Sequence, residues 1–419
     1  MRSPVLVLLL VLATAPARAA DADADAAALS LADQTTSTAE QSGDWRVYLE
    51  TAAREARRQG AGLALHGARL SLDARFDKTF APGWRAVFAD RLDMNRMDGA
   101  SGNREINTLK EAYVSWQARP DRIADLGRIN VRNGVAFGYN PTDYFRAGAL
   151  RSVVSLDPAS LRENRLGSGM LRGQTLWEGG SLTALYSPKL ADQPSDNAYS
   201  ADFGASNPRA RWLLAYSDKL SAGLSPQWLL SGGAGQSPQL GLNVTALPND
   251  ATVAYFEWSG GRSASLAAQA LMRPDDAAFR SRLSSGLTYT TTGNVSLSAE
   301  YEYNGAALDD AGWNALRRGS PLAYGVYRGF AGNLQDPATR HSVFLHASWQ
   351  DALIKQLDLT AMVRYTVADH SRLQWLEARY HWSRVDVALQ TQLNTGPPGS
   401  TYGAASERRS WQALLRYYF

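Results

Sequence analysis

At 419 residues the chain exceeds the usual single-domain size, although one large barrel uses that length as a single unit. Hydrophobic residues make up 45% and the mean hydropathy is −0.31, which excludes a bundle of membrane-spanning helices but not strands that alternate apolar and polar side chains. The formal charge of +3 argues against a dedicated nucleic-acid binder, and the absence of cysteine removes disulfides, thiolate metal sites and a cysteine nucleophile.

Arg2, the apolar run Val5–Leu12 and Ala17-Arg18-Ala19 have the three-part layout of a secretory signal peptide over residues 1–20. Its removal takes away Arg2 and Arg18 and leaves a formal charge of +1. Residues 21–43 are rich in Ala, Asp, Thr and Ser without periodicity and read as a flexible periplasmic lead-in. The remainder, 44–419, reads as one barrel.

Trp45, Val47 and Leu49 alternate with polar neighbours and predict a first strand, although Glu50 to Arg58 also suits a helix. Leu70, Leu72, Ala74 and Phe76 alternate with Arg69, Ser71, Asp73, Arg75 and Asp77 in a clearer second one. Pro82-Gly83 and Arg119-Pro120-Asp121 mark turns, and the pattern breaks from Asn130 to Asn164. Strands are expected again near Leu166–Trp177, Leu182–Tyr186 and Trp212–Tyr216. The stretch from Gln227 to Thr290 holds five more candidates, including Ala264–Met272. Val295 to Tyr303 alternates strongly, Gly305 to Thr339 is a long loop, and strands resume at Val343–Trp349.

The last stretch is the most regular. Leu357, Leu359, Ala361, Val363, Tyr365 and Val367 share one face, as do Val385, Val387, Leu389, Thr391 and Leu393, then Trp411, Ala413, Leu415, Tyr417 and Phe419. Such runs, closed by an aromatic residue, resemble the final strands of Gram-negative outer-membrane β-barrels. The resemblance implies an all-β, antiparallel, up-and-down transmembrane barrel in outer-membrane lipid, with the terminal Phe as the signal to the barrel assembly machinery.

A direct count gives about nineteen strands, whereas bacterial barrels use an even number with short periplasmic and long outer connections. Counting from both ends puts Asn130–Asn164, Pro188–Pro208, Gly305–Thr339 and Thr395–Arg408 outside. The two counts disagree only between Trp212 and Thr290, so one strand there is surplus and about eighteen are expected. Trp45, Trp84, Trp116, Trp349, Trp382, Trp411 and Tyr417 lie near strand ends, where aromatic rings meet a membrane interface.

If the apolar faces meet lipid, the intervening charges face the lumen: Arg69, Arg75, Glu300, Glu302, Arg364, Arg379, Arg384, Asp386 and Arg416. They either contact a polar or anionic solute or pair across neighbouring strands and brace the wall. The segment Gly127 to Glu163, with Gly138-Tyr139-Asn140-Pro141-Thr142-Asp143-Tyr144-Phe145, resembles porin-like and alginate-export-like families. Either it folds inward and brings Asn140, Asp143, Arg146 and Arg151 near the solute, or it is an ordinary surface loop. Trp313, Tyr324, Tyr327 and Phe330 in the later loop either stack on sugar rings or pack that loop.

Enzyme signals are weak. His341 and His346 differ by an odd number and point to opposite faces of a strand, which disfavours a metal pair, and no cofactor or catalytic motif is present. The reading is a channel for small polar or anionic solutes or a polysaccharide. A plugged barrel that partners an inner-membrane transporter is the alternative.

Overall fold

The computed structural model describes residues 44–419 except 61–63, 99–103 and 196, so the expected signal peptide and lead-in lie outside the described residues. Eighteen strands form one antiparallel sheet in chain order. They begin with β1 (Trp45–Arg58), β2 (Ala64–Ala81), β3 (Trp84–Met97), β4 (Glu105–Arg119), β5 (Arg122–Ile129) and β6 (Ser168–Trp177). Next come β7 (Gly180–Ser187), β8 (Arg211–Asp218), β9 (Leu224–Gly233), β10 (Gln236–Asn249), β11 (Thr252–Ser263) and β12 (Ala278–Thr290). The last are β13 (Val295–Asn304), β14 (His341–Trp349), β15 (Leu357–Thr366), β16 (Ser371–His381), β17 (Val385–Thr395) and β18 (Glu407–Tyr418). Pairing of β1 with β18, from Tyr48↔Tyr418 to Arg57↔Arg409, closes the sheet. Closure leaves no strand edge unpaired, which a lipid environment requires.

The alternation places polar side chains inside and apolar ones outside. On β2, Ser71 and Asp73 are 0% exposed while Leu70 and Leu72 are 39% and 42% exposed. A water-soluble protein shows the reverse, so the wall is built to face lipid. The start of β1, the end of β18 and most of the short turns lie at one rim, and the long connections lie at the other. By barrel convention the short-turn rim is periplasmic. Aromatic rings belt that rim: Trp84 stacks on Trp116 at 5.7 Å, and Tyr216 lies between Trp177 and Trp228 at 5.7 and 5.6 Å. Rings that are apolar in the body and polar at the tip are stabilised at this level of a bilayer.

One alternative is resolved and one local expectation is corrected. Glu50 to Arg58 is strand throughout, with Ala52, Arg54 and Ala56 facing inward and Ala53, Glu55 and Arg57 outward between β2 and β18. Ala264–Met272 is not a strand: it holds the short helix Leu266–Ala270, in the outer loop between β11 and β12. Ser265 caps it by accepting the Ala268 N–H at 3.0 Å, and an Ala-rich turn with a serine cap favours helix over strand. This is the surplus strand of the count.

The long loop after β13 is also helical, at Asp310–Arg318 and Pro321–Asn333. Asp309 and Ser320 cap the two helices, and Pro321 sits at a first-turn position where its missing N–H costs nothing. Trp313 and Tyr327 are fully buried with Leu266, Ala306, Ala307 and Ala331, so these aromatics pack a lid over the outer mouth. Full burial stabilises the lid by roughly 2–3 kcal/mol per large side chain.

Candidate functional site: the narrowed lumen

Residues 130–167, between β5 and β6, turn into the barrel, and two acids on the far wall hold them there. Glu257 on β11 accepts from the N–H groups of Val135, Ala136 and Thr142 at 3.0, 3.2 and 2.8 Å, and from the Thr142 hydroxyl at 2.8 Å. Glu300 on β13 accepts from the N–H groups of Phe137, Gly138 and Tyr139 at 2.9, 3.3 and 2.9 Å, and from Ser284 and Tyr255. Arg364 on β15 donates to the Gly138 carbonyl at 3.0 Å. The loop lies so close to the wall that glycine is required. Gly134 has φ +99°, and a Cβ there would meet both Glu257 oxygens at 2.6 Å. At Gly138 it would meet the Phe344 ring at 2.7 Å.

From this clamp the loop crosses the lumen. Val154 reaches the opposite wall, where Arg69 of β2 and Gln412 of β18 donate to its carbonyl at 3.4 and 3.3 Å. Asp157 caps a short helix, Pro158–Glu163, by accepting the Ser160 N–H at 2.9 Å. Glu163 then ion-pairs with Arg46 of β1 at 2.6 Å. The crossing narrows the barrel to a passage along β1, β2 and β16–β18.

Two cavities flank this crossing. The outer one, about 280 Å³, is lined by Arg54, Gly67, Met97, Gln392, Ser410 and Gln412 among others. The inner one, about 140 Å³, is lined by Glu50, Asp157, Glu377, Arg379, Arg416 and Trp349 among others. Both touch Arg69, Val154, Ser155, Trp375 and Gln390. Those five residues, which stand at the boundary of the two cavities, are called the eyelet. Two come from the loop, and three come from β2, β16 and β17.

The charges around the eyelet are paired. Glu50 Oε1 takes Arg69 and Arg91, each at 2.8 Å, and Oε2 takes Arg416 at 2.8 Å. One carboxylate thus ties β1 to β2, β3 and β18. Arg379 pairs with Glu377 at 2.9 Å, and Gln390 also donates to Glu377. Such pairs brace the wall while Arg69, Arg379 and Arg416 still line the passage.

Other residues singled out in the sequence lie elsewhere. Arg75 pairs with Glu111 at 2.7 Å, and Asp386 accepts from Tyr418 and contacts His381, both at 2.9 Å. Glu302 accepts from Ser342 at 2.6 Å. Asn140 hydrogen-bonds the Ala136 carbonyl at 2.6 Å, and Asp143 pairs with Arg165 at 2.6 Å. Arg146 binds Asp336 of the lid loop, and Arg151 donates to the carbonyls of Asn107 and Ser200 at 3.0 and 2.8 Å. Asn140, Asp143, Arg146 and Arg151 therefore tie loops together and are absent from the eyelet, although Asn140 and Arg146 edge a separate cavity of about 360 Å³ under the lid. Arg384 is not on the wall: it is exposed in the periplasmic turn after β16, where the alternation has already ended. Glu50, Glu257, Trp375 and Gln390 were missed. Glu257 carried one signal, an acid at an inward position between Phe256 and Trp258.

No protein-family model matches the chain, and no curated protein matches it. Solved structures do match its fold. OccAB1 of Acinetobacter baumannii aligns with a TM-score of 0.57 over 92% of this chain and 99% of its own, at 11% identity. The fold is that of a porin: a BenF-like porin from Pseudomonas fluorescens aligns at 0.52 over 90% of this chain and 99% of its own, at 9% identity. OccK5 (OpdH) of Pseudomonas aeruginosa aligns at 0.53 over 90% of this chain and 98% of its own, at 10% identity. OccK2 (OpdF) of the same species, solved in complex with glucuronate, aligns at 0.53 over 90% and 97%, at 11% identity. The porin fold accounts for the short periplasmic turns, the closed strand order and the lumen placement of the charged residues.

Proposed function

We propose that this porin-fold protein is an outer-membrane channel for small polar solutes, with its selectivity step at the Arg69, Val154, Ser155, Trp375 and Gln390 eyelet. One observation carries the reading: the outer and inner cavities share those five lining residues, which therefore form the boundary that a solute moving between the two would cross. The narrowing suits a small molecule and disfavours a polysaccharide chain. The same geometry favours a passage over a plugged barrel serving an inner-membrane partner. Insertion by the barrel assembly machinery belongs to the same proposal.

The lining also supports a preference. Among the described residues no carboxylate lines the outer cavity, whereas Glu50, Asp157, Glu163, Asp358 and Glu377 line the inner one beside Arg69, Arg379 and Arg416. A solute arriving from outside therefore meets arginine first, which favours an anionic group on it. Single-channel recording in planar bilayers, with reversal potentials in a salt gradient, tests the proposal. Discrete conductance with anion preference is expected, and a purified, folded barrel that never conducts would overturn it.

A further inference from the structure

The strongest unexplained feature outside the lumen is the seam where the barrel closes. Arg57 and Arg58 end β1, and Arg408 and Arg409 follow Glu407, the first residue of β18, at the outer rim. All four are exposed, and Arg57 is the direct register partner of Arg409. Both lie at outward positions, on the same face as Thr51 and Trp411. A register shift after Arg57 bulges the seam there. The only ion pair recorded for the four, among the described residues, is a long one from Arg57 to Glu55 at 3.7 Å. Like charges directly opposite each other on a sheet are destabilising, and Glu407, the register partner of Arg58, is already engaged by Arg54.

We propose that this seam binds the phosphate headgroup of an outer-leaflet lipid. Guanidinium groups bind phosphate through paired, planar hydrogen bonds, and opposed arginines on adjacent strands suit a headgroup with more than one phosphate oxygen to share. The wall beneath argues for a lipid over a free anion. One rung below Arg409 is Trp411, 42% exposed, at the depth where an indole marks a membrane interface. The next rung runs Leu389, Ala413, Ala53 and Ala68 across four strands, bordered by the exposed Leu415 and Leu70. Three adjacent alanines leave a shallow apolar trough about 13 Å below the arginines, since four residues of strand rise about that far. Charge above and trough below match the polar and acyl parts of one phosphorylated glycolipid.

The inference rests on the barrel lying in the outer membrane in the orientation given above. It is independent of conduction, so a silent channel would leave it standing. The test is native mass spectrometry of the folded barrel in neutral detergent, with a bisphosphorylated glucosamine-disaccharide lipid and its dephosphorylated form. The wild type should retain one copy of the phosphorylated lipid and discriminate against the other. Arg57→Gln/Arg409→Gln should lose retention about tenfold or more, since both charge-assisted contacts to the phosphate are removed. Arg57→Lys/Arg409→Lys should keep part of it. Heat-modifiable migration confirms that each variant is folded, and the discrimination by the wild type needs no variant. Equal retention of the two lipids, an unaffected Gln double variant, or displacement of the lipid by millimolar inorganic phosphate would each overturn the proposal.

Discussion

The Glu257 carboxylate accepts both the backbone N–H and the side-chain hydroxyl of Thr142, each at 2.8 Å. With Glu300 it turns a polar loop into part of the wall: the loop supplies every partner of the buried Glu257 and adds three N–H donors to the Ser284 and Tyr255 bonds of Glu300. Glu257→Gln replaces one acceptor oxygen by an amide N–H₂ that faces the Val135 and Ala136 donors. The expected cost to loop docking is about 2–4 kcal/mol, from the lost charged bonds and the opposed donors. Unit conductance should rise and become noisier while heat-modifiable migration stays normal. A conductance trace identical to wild type would show that the loop does not set the pore width.

At the eyelet, Arg69 and Trp375 contribute different things. Arg69→Gln removes a charge while Glu50 keeps Arg91 and Arg416, so the wall retains its brace. The expected result is a reversal-potential shift toward cations, on the order of 1 kcal/mol or several-fold in permeability ratio for one hydrated charge at close range. Trp375→Ala removes bulk without charge and should raise conductance with little change in ion preference. If the two variants changed the same observable to the same degree, the division of roles would be wrong.

Period-two alternation made the wall legible because lipid on one side and water on the other enforce it residue by residue. β15, expected over Leu357–Val367, is found at Leu357–Thr366, and the run ending at Phe419 closes the barrel as β18. Alternation also told which face a residue occupies, so Arg69, Arg379 and Arg416 were placed inward. It did not say which inward residues meet the solute, because that depends on where a loop from elsewhere crosses. Glu257 and Asn140 are 117 positions apart, and no local pattern links them. Ala264–Met272 misled for the converse reason: a few apolar residues in a row suit a strand or a helix, and only the Ser265 cap decides.

The lid offers a test of packing separate from the strands. Trp313 is fully buried and donates its indole N–H to Asp369 at 2.9 Å. Trp313→Ala should cost the lid about 3–5 kcal/mol through the cavity it leaves. The barrel, held by its own ladder, should keep its heat-modifiable migration. Tryptic cleavage after Arg317 or Arg318 should accelerate by more than about tenfold, since cleavage follows the opening equilibrium. Unchanged protection would mean that the lid is held from elsewhere.

The same contact predicts a pH dependence. Asp369 lies in the outer turn between β15 and β16, and it accepts from Ser371, Thr401 and Trp313. Burial alone would push its carboxyl up, but the hydrogen bonds from Ser371 and Thr401 outweigh that and hold it below the usual carboxylate range. A carboxylate whose pKa is depressed in the folded state contributes stability above its unfolded pKa of about 3.9, and loses it as pH falls through the folded value. Lid protection should therefore be flat from neutral pH down to about 5 and weaken below about 4. Limited proteolysis with pepsin across the acid range reads the lower limb, and trypsin at neutral pH reads the upper. Asp369→Asn, which cannot ionise, should show the loosened lid already at neutral pH and no further acid step. Protection that improves as the pH drops would reverse the sign and refute the role given to this carboxylate.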